Sequence, residues 1–450
     1  MKRKMYDTLL AWKKRSRGQS AALIQGAPRV GKSFVAEEFA TKEYGSFIRI
    51  DFSTAGKAVR DMFLYDLDDL DTFFLKLEVL YRTKLQTRNT VILLEQIQWF
   101  PQVRNAINTL VADGRYDYIE TGALLSIKEN LKGVTDVSRE ERFKMFPMDY
   151  EEFLWATGND TLMDQLRSCF EERRPLSRSL HRQAMNAFRQ YLIVGGMPQS
   201  VAEYVDTMDF HRVDKVKRKI LDFYREGIAK YAKRHRPKVQ AIFEEVPSQL
   251  KNRNQHFRFS DLKKGGRYSE YQEPLFWLEE AMVLHCCHNA TDPGLGLDLP
   301  QERTMLKCYL ADTGLLISHA YDEKAIEEEA IYEKVLLGNL EESMGLVLEN
   351  IVAQMLAASG HKLYFYANAD RECKENRMEV DFLVTKQRED GQTGVAPIKV
   401  KSGKNYKRSS LRKFMAKFGE KLHITYDLHT GNAKEEEGIT YLPLYMAGLI

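Results

Sequence analysis

The chain has 450 residues, with 67 Lys and Arg against 64 Asp and Glu and a formal charge of +3. That length suggests two or three domains of about 100–200 residues each, and 44% hydrophobic with 29% charged residues describes a globular chain able to bury a core. The balance excludes a polybasic protein, no apolar run approaches the ~18 residues of a membrane-spanning helix, and the basic N-terminus lacks the apolar stretch of a secretory signal. The five cysteines (Cys169, Cys286, Cys287, Cys308 and Cys373) form no CxxC pair. They read as small buried apolar residues in a reducing, cytoplasmic setting.

The first chemistry-bearing motif is Gly26-Ala27-Pro28-Arg29-Val30-Gly31-Lys32-Ser33, a complete GxxxxGK[ST]. Its context fits. The apolar run 21–25 precedes it at strand length, and residues 33–40 follow with apolar side chains at 34, 35, 36, 39 and 40, as a helix with one buried face would have. In such a strand–loop–helix the main-chain N–H groups of residues 26–31 face a triphosphate, and the helix N-terminus adds positive potential. Lys32 is expected to reach the β- and γ-phosphates of ATP and the Ser33 hydroxyl to hold Mg²⁺.

Residues 90–94 (TVILL) form a continuous apolar run, as in a parallel strand covered on both faces, and end in Glu95-Gln96. A hydrolase of this type has Asp-Glu there, the first carboxylate supporting Mg²⁺ and the second polarising the attacking water. Glu95 is one methylene longer and is still expected to support the metal. Gln96 can hydrogen-bond a water but cannot take its proton, and losing a general base costs about 10²–10⁴-fold in rate. ATP binding with impaired hydrolysis is therefore expected. A further strand at 116–121 ends at Thr121, where a γ-phosphate sensor would sit. With strands also near 21–25, 46–51 and 90–94, the N-terminal part reads as a doubly wound α/β domain of P-loop type.

Four longer stretches carry a family resemblance: 113–122 (DGRYDYIETG), 146–155 (FPMDYEEFLW), 191–198 (YLIVGGMP) and 309–316 (YLADTGLL). Together with the P-loop, and in this order over about residues 5–447, the chain resembles prokaryotic P-loop ATPases that join an AAA-like domain to a C-terminal domain of unknown function. The resemblance implies an AAA-like ATPase domain (1–145), a helical lid or linker (146–240), a winged-helix-like domain (241–320) and a restriction-endonuclease-like α/β domain (321–450). Family members usually keep Asp-Glu at 95–96 and Ser at 123. Here Glu-Gln and Ala stand in those places, and both departures weaken the case for hydrolysis.

Residues 145–240 read as helical, and 191–198 ends a helix in two glycines and a proline as a sharp turn. Residues 211–238 hold 11 Lys or Arg against 3 Asp or Glu. They form either a basic face for nucleic acid or a solvated helix paired to acidic neighbours such as 327–329, Glu341 and Glu342. Residues 246–287 read as helix, short strand, helix, a helix ending at Ala281 and a strand, the order of a winged helix. Lys251, Arg253, Arg258, Lys263, Lys264 and Arg267 lie on its early half, a possible DNA contact. His235, His285 and His288 have no metal-ligand spacing.

In the C-terminal part, Glu349 on a helix, Asp381 on a strand, and Lys399 and Lys401 on the next strand resemble the Glu, Asp and Glu-x-Lys of a nuclease site. That site holds Mg²⁺ with carboxylates and activates water with a lysine. Lys399 stands where a metal-binding Glu belongs, so a degenerate nuclease-like site without nuclease activity is expected. The following basic run adds Lys404, Lys407, Arg408, Arg412, Lys413 and Lys417.

The leading expectation is a cytoplasmic, Mg²⁺-dependent, ATP-binding AAA-like protein with weakened hydrolysis, Glu95, Gln96 and Thr121 being its catalytic positions. The rivals are an ATP-gated DNA-binding protein with an inactive nuclease-like module and, behind it, an active nuclease. Arg139 or Arg142 is a candidate for acting on a neighbouring subunit's nucleotide in a homo-oligomer. The sequence names no membrane partner and no protein client.

Overall fold

The computed structural model describes the chain apart from residues 125–131, 135–136, 251–255, 294–295, 298–300, 329, 339–344, 371, 374, 388–392 and 402–408. The chain forms two compact units: residues 1–146 with 280–282, and residues 147–279 with 283–450. No described helix is long and apolar enough to cross a membrane.

The first unit runs α1 (Lys4–Ser16), β1 (Ala21–Gln25), α2 (Lys32–Glu43), β2 (Ser46–Asp51), α3 (Lys57–Tyr65), α4 (Leu70–Tyr81), β3 (Thr90–Glu95), α5 (Val103–Asp113), β4 (Asp117–Gly122) and β5 (Glu140–Lys144). Its five strands are all parallel, in the order β2-β3-β4-β1-β5. The strands expected at 21–25, 46–51, 90–94 and 116–121 are all present. β5 escaped the sequence reading because EERFK has no apolar run; its backbone nonetheless pairs with β1 from Ala21↔Glu140 to Gln25↔Lys144.

β3 and β4 are buried along their whole length, as parallel strands covered on both faces must be. One face is sealed by α3 and α4 through linked aromatic rings and by the aliphatic side chains of α5. Phe52, Phe63, Phe73, Phe74 and Tyr116 touch in succession with centroids 4.7–5.6 Å apart, each pair edge to face.

Ionisable side chains are buried inside this unit, among them Arg104, Glu140 and Glu120. Arg104 on α5 donates to both carboxylate oxygens of Glu140 at 2.8 and 2.6 Å, and both side chains are buried. Glu120 on β4 is buried and neither carboxylate oxygen has a hydrogen-bond partner. Burial, reinforced by the Glu140 charge, holds its carboxyl well above the usual 4.5 despite Arg104 and Arg142.

In the second unit, helices fill residues 150–245, as the sequence suggested. Beyond them lies an eight-stranded mixed sheet made of β6 (Leu284–Ala290), β7 (Gln301–Leu310), β8 (Tyr364–Asn368), β9 (Met378–Gln387), β10 (Thr393–Val400), β11 (Thr425–His429), β12 (Lys434–Glu436) and β13 (Ile439–Pro443), in the order β12-β13-β11-β10-β9-β8-β6-β7. The strands assigned to a winged-helix domain (β6, β7) and those assigned to a nuclease-like domain (β8–β13) thus share one sheet. The join is main-chain pairing of His288 with Tyr364 and Asn289 with Phe365. Asn289 reinforces it by accepting from the Ala367 N–H at 2.9 Å and donating to the Ala367 carbonyl at 3.3 Å. Where a short strand was expected ahead of these helices, the Phe257 N–H bonds the Leu306 carbonyl, and the described residues Phe259–Leu262 form a helical turn.

The stretches 146–155, 191–198 and 309–316 converge inside this unit. Asp149 and Glu152 form a reciprocal capping box at the start of the helix Tyr150–Ala156. The Met148 N–H bonds the Gly196 carbonyl at 2.6 Å, and the Tyr191 hydroxyl donates to the Met148 carbonyl at 2.7 Å. Buried Asp312 caps the helix Thr313–Ala320 through the Leu315 N–H and accepts the Gly196 N–H at 2.5 Å. From the helix Gly345–Ala358, Asn350 and Gln354 complete the network on Leu310, Thr313 and Tyr191. Glycine is obligatory here: a Cβ on Gly196 would lie 2.1 Å from the Met148 carbonyl oxygen, and one on Gly195, where φ is +77°, would lie 2.3 Å from Asp312 Oδ1.

Two measurements check these packing arguments. A raised carboxyl pKa means that the folded state holds its proton more tightly than the unfolded state. The contribution is complete below pH 4.5 and drains away as pH climbs above it. Glu120→Gln, which mimics the protonated form, is expected to melt on the order of 3 °C above the parent at pH 7–8, with the gap closing towards pH 4.5. Gly196→Ala is expected to lose about 3 kcal/mol or more in denaturant unfolding. Gly227→Ala, in open space within the helix Phe210–Tyr231, is expected to gain about 0.5–1 kcal/mol.

Candidate functional site

Residues 26–33 form the connection from β1 into α2. Arg29 (φ 68°) and Gly31 (φ 95°) take the left-handed conformation, and Gly31 leads into the helix at Lys32. Gly26 is forced by contact, since a Cβ there would stand 2.4 Å from the Met145 carbonyl oxygen. The loop is fixed from outside the motif as well. Buried Arg3 donates to the Val30 carbonyl at 2.7 Å and to the Phe146 carbonyl at 2.8 Å. Arg3 lies 27 residues before Val30, and no local pattern marks it in the sequence.

The Lys32 ammonium turns back onto its own loop, donating to the Gly26 carbonyl at 2.8 Å and the Ala27 carbonyl at 3.0 Å. Burial lowers its pKa to about 8, against the attraction of Glu95. Glu95 ends β3 and is buried. Its Oε2 accepts from Arg49 Nε at 2.9 Å, while Oε1 has no hydrogen-bond partner. Arg49, from β2, is a second residue that sequence reasoning missed.

Gln96 adopts a left-handed conformation (φ 56°) just past the strand and is exposed. Its N–H points to Thr121 Oγ1 at 3.4 Å, and its side-chain oxygen accepts from Gln98 at 2.8 Å. The register brings Ile24 beside Thr121 and Gln25 beside Gly122. The P-loop strand, the Glu95-Gln96 strand end and Thr121 thus meet at one edge of the sheet. Arg139 and Arg142 are exposed on and beside β5; the Arg139 N–H bonds Asn108 and the Arg142 side chain lies 3.9 Å from Glu140.

The C-terminal candidates also gather, with neighbours the sequence did not flag. Asp381 is buried; Lys399 donates to it at 2.5 Å and the Val400 N–H at 2.7 Å. Buried Lys307 lies 3.5 Å from Glu349 and 2.9 Å from Glu379, and the Tyr309 hydroxyl donates to Glu349 at 3.0 Å. Burial opposes the charge of Lys307, but Glu349, Glu379 and Asp381 outweigh it and hold the ammonium above its usual pKa. Burial raises the Glu349 carboxyl, with Lys307 pulling the other way. Lys401 is paired with buried Asp427 on β11.

Much of the basic stretch 211–238 is engaged by acidic neighbours. Arg212 pairs with Glu203, Arg218 with Asp214, Arg225 with Asp222 and Glu244, and Arg234 with Glu273. Lys217 is buried and donates to the Ile193 carbonyl at 2.7 Å. The partners expected at 327–329, Glu341 and Glu342 have side chains outside the described residues, as do Lys251, Arg253, Lys404, Lys407 and Arg408. Arg258, Lys263, Lys264 and Arg267 are exposed. Four cysteines are buried, and Cys373 is half-buried where a buried residue was expected.

Comparison with known proteins agrees with this geometry. Residues 18–154 match the model of the AAA domain. Residues 185–324 and 344–446 match two domains of unknown function, DUF8612 and DUF4143. The chain thus has an N-terminal AAA-family P-loop domain, joined to a C-terminal domain of unknown function.

No curated protein matches it. Among solved structures, it is similar to PCH-2 of C. elegans at 15% identity over 36% of this chain and 47% of that one, with a TM-score of 0.23. It is also similar to Aeropyrum pernix ORC1 in complex with DNA (11%, 73% and 94%, 0.27) and to a Pyrococcus horikoshii STAND ATPase with a tetratricopeptide repeat sensor (9%, 80% and 49%, 0.27). The chain spans about half the length of the first and last of these.

If the loop geometry governs ligand binding, Gly26→Ala must weaken it. A fluorescent ATP analogue is expected to bind this variant at least about tenfold more weakly, a loss of about 1.4 kcal/mol.

Proposed function

We propose that this protein binds ATP with Mg²⁺ at the loop 26–33 and hydrolyses it slowly. The observation that supports this most is the meeting, at one sheet edge, of a glycine-shaped loop with its ammonium, a buried carboxylate and a glutamine. Phosphate oxygens would replace the Gly26 and Ala27 carbonyls as partners of Lys32. That exchange favours the ammonium because phosphate carries charge and carbonyls do not. The Ser33 hydroxyl and the Glu95 carboxylate would hold Mg²⁺, which when bound neutralises phosphate charge, and the orphaned Oε1 of Glu95 suits such a role. Gln96 can orient a water towards the phosphate through its carboxamide but cannot remove its proton. Thr121, beside Gln96, would feel the state of the terminal phosphate.

A DNA-binding role is the second reading, favoured by the exposed Arg258, Lys263, Lys264 and Arg267. We place any such contact there rather than on 211–238, where much of the basic charge is already paired. No nuclease activity is proposed, because Lys399 and Lys307 occupy the carboxylates that a metal would need. We keep the division into ATPase (1–145), lid (146–240), winged-helix (241–320) and nuclease-like (321–450) segments as a proposal, with the last two joined through one sheet, β6 to β13.

Lys32→Ala is expected to abolish ATP binding in titration, and equal affinity in the two proteins would overturn the site assignment. Gln96→Glu is expected to raise ATP turnover about tenfold or more by restoring a base. Any shift of duplex DNA by the parent protein should weaken steeply with salt.

A further inference from the structure

Arg49 has no role in the mechanism so far, yet it makes the closest contact to the carboxylate proposed to hold the metal. It lies in the middle of β2, opposite Leu93 of β3. Its Nε and Nη2 both sit 2.9 Å from Glu95 Oε2, and its Nη1 is 3.5 Å from Glu37 Oε2. Glu37 is on α2, one turn beyond Ser33. The Glu95 side chain is 1% exposed, whereas the Arg49 side chain is 44% exposed.

These facts fix what each group can do. A buried carboxylate without a counter-charge is costly; the Lys32 ammonium bonds the Gly26 and Ala27 carbonyls, and the ion pair to Glu95 is made by Arg49. Arg49 therefore neutralises Glu95 in this state. A divalent cation brought to the same carboxylate would meet the guanidinium at contact distance, and like charges that close repel strongly where water is scarce. The guanidinium reaches in from solvent on a long flexible stem, and Glu37 gives it a second partner further from the sheet edge.

We propose that Arg49, a resident cation on Glu95 Oε2, opposes Mg²⁺ at the neighbouring Oε1, and that it moves off the carboxylate, towards Glu37 and solvent, when Mg·ATP binds. This rests on the ATP reading above. It makes Arg49 a positioning residue that sets how much the metal adds to nucleotide affinity. In the parent protein the gain from Mg²⁺ is reduced by the work of displacing Arg49. Without Arg49, Glu95 is an unpaired buried anion and welcomes the metal.

The test is the ratio of dissociation constants for a fluorescent ATP analogue in excess EDTA and in excess Mg²⁺, measured on the parent, Arg49→Ala, Arg49→Lys and Lys32→Ala. The parent ratio is expected to stay below about threefold, and Arg49→Ala to exceed about tenfold, a difference visible against the 1.4 kcal/mol per decade of binding. Arg49→Lys keeps the charge and should return the ratio towards the parent value. Thermal melts supply a second readout: Mg·ATP should raise the melting temperature of Arg49→Ala more than that of the parent. A purely structural role for Arg49 would weaken binding equally in both media and leave the ratio unchanged, which would overturn the proposal. Should Arg49→Ala fail to fold, Arg49→Gln replaces it with the same expected ratio. Unimpaired binding by Lys32→Ala would instead count against the nucleotide site itself, whatever Arg49 does.

Discussion

Gln25, Glu95 and Gly122 end up side by side because β3, β4 and β1 pair in parallel register, each strand ending at the same edge. That alignment depends on strands dry on both faces. A buried carboxylate can stand at the edge only because Arg49 reaches it from β2 on one side and the field of Lys32 from the P-loop on the other. Were the sheet antiparallel, consecutive strand ends would alternate between edges and these groups could not meet.

The second unit solves a different problem, that of holding together segments far apart in the chain. It does so with buried polar groups that each satisfy two partners. Asp312 caps its own helix and binds the Gly196 amide, and Gln354 serves both Thr313 and Tyr191. Such a network is stable only when every member is satisfied, and the absence of side chains at Gly195, Gly196 and Gly314 lets the backbones come close enough to satisfy it. The stretches 147–155, 191–198 and 309–316 are thus accounted for by packing within this unit, whereas 113–122 belongs to the first unit and carries Thr121.

Electrostatics gives the C-terminal cluster its character. Two ammonium groups, Lys307 and Lys399, are threaded among Glu349, Glu379 and Asp381. A nuclease needs those carboxylates unpaired so that metal ions can bridge them. Here opposite charges are already matched in a buried setting, and the cluster cements β7, β9, β10 and the helix Gly345–Ala358 together.

The sequence by itself determined the P-loop, because the chemistry of a phosphate cradle is written in eight adjacent residues, and the apolar strands β1 and β3, because burial on both faces leaves an unbroken run. It also raised the expectation that Gln96 stands where a base is usual and Lys399 where a metal ligand is usual. Only the tertiary structure decided what surrounds those positions. Arg3 on the loop, Arg49 on Glu95 and Lys307 between Glu349 and Glu379 are ion pairs and hydrogen bonds across 27 to 72 positions or between separate strands, and a charged side chain carries no mark of the partner it will meet. For the same reason β5 was illegible: its strand conformation comes from pairing with β1, and its own residues carry no apolar pattern that asks for it.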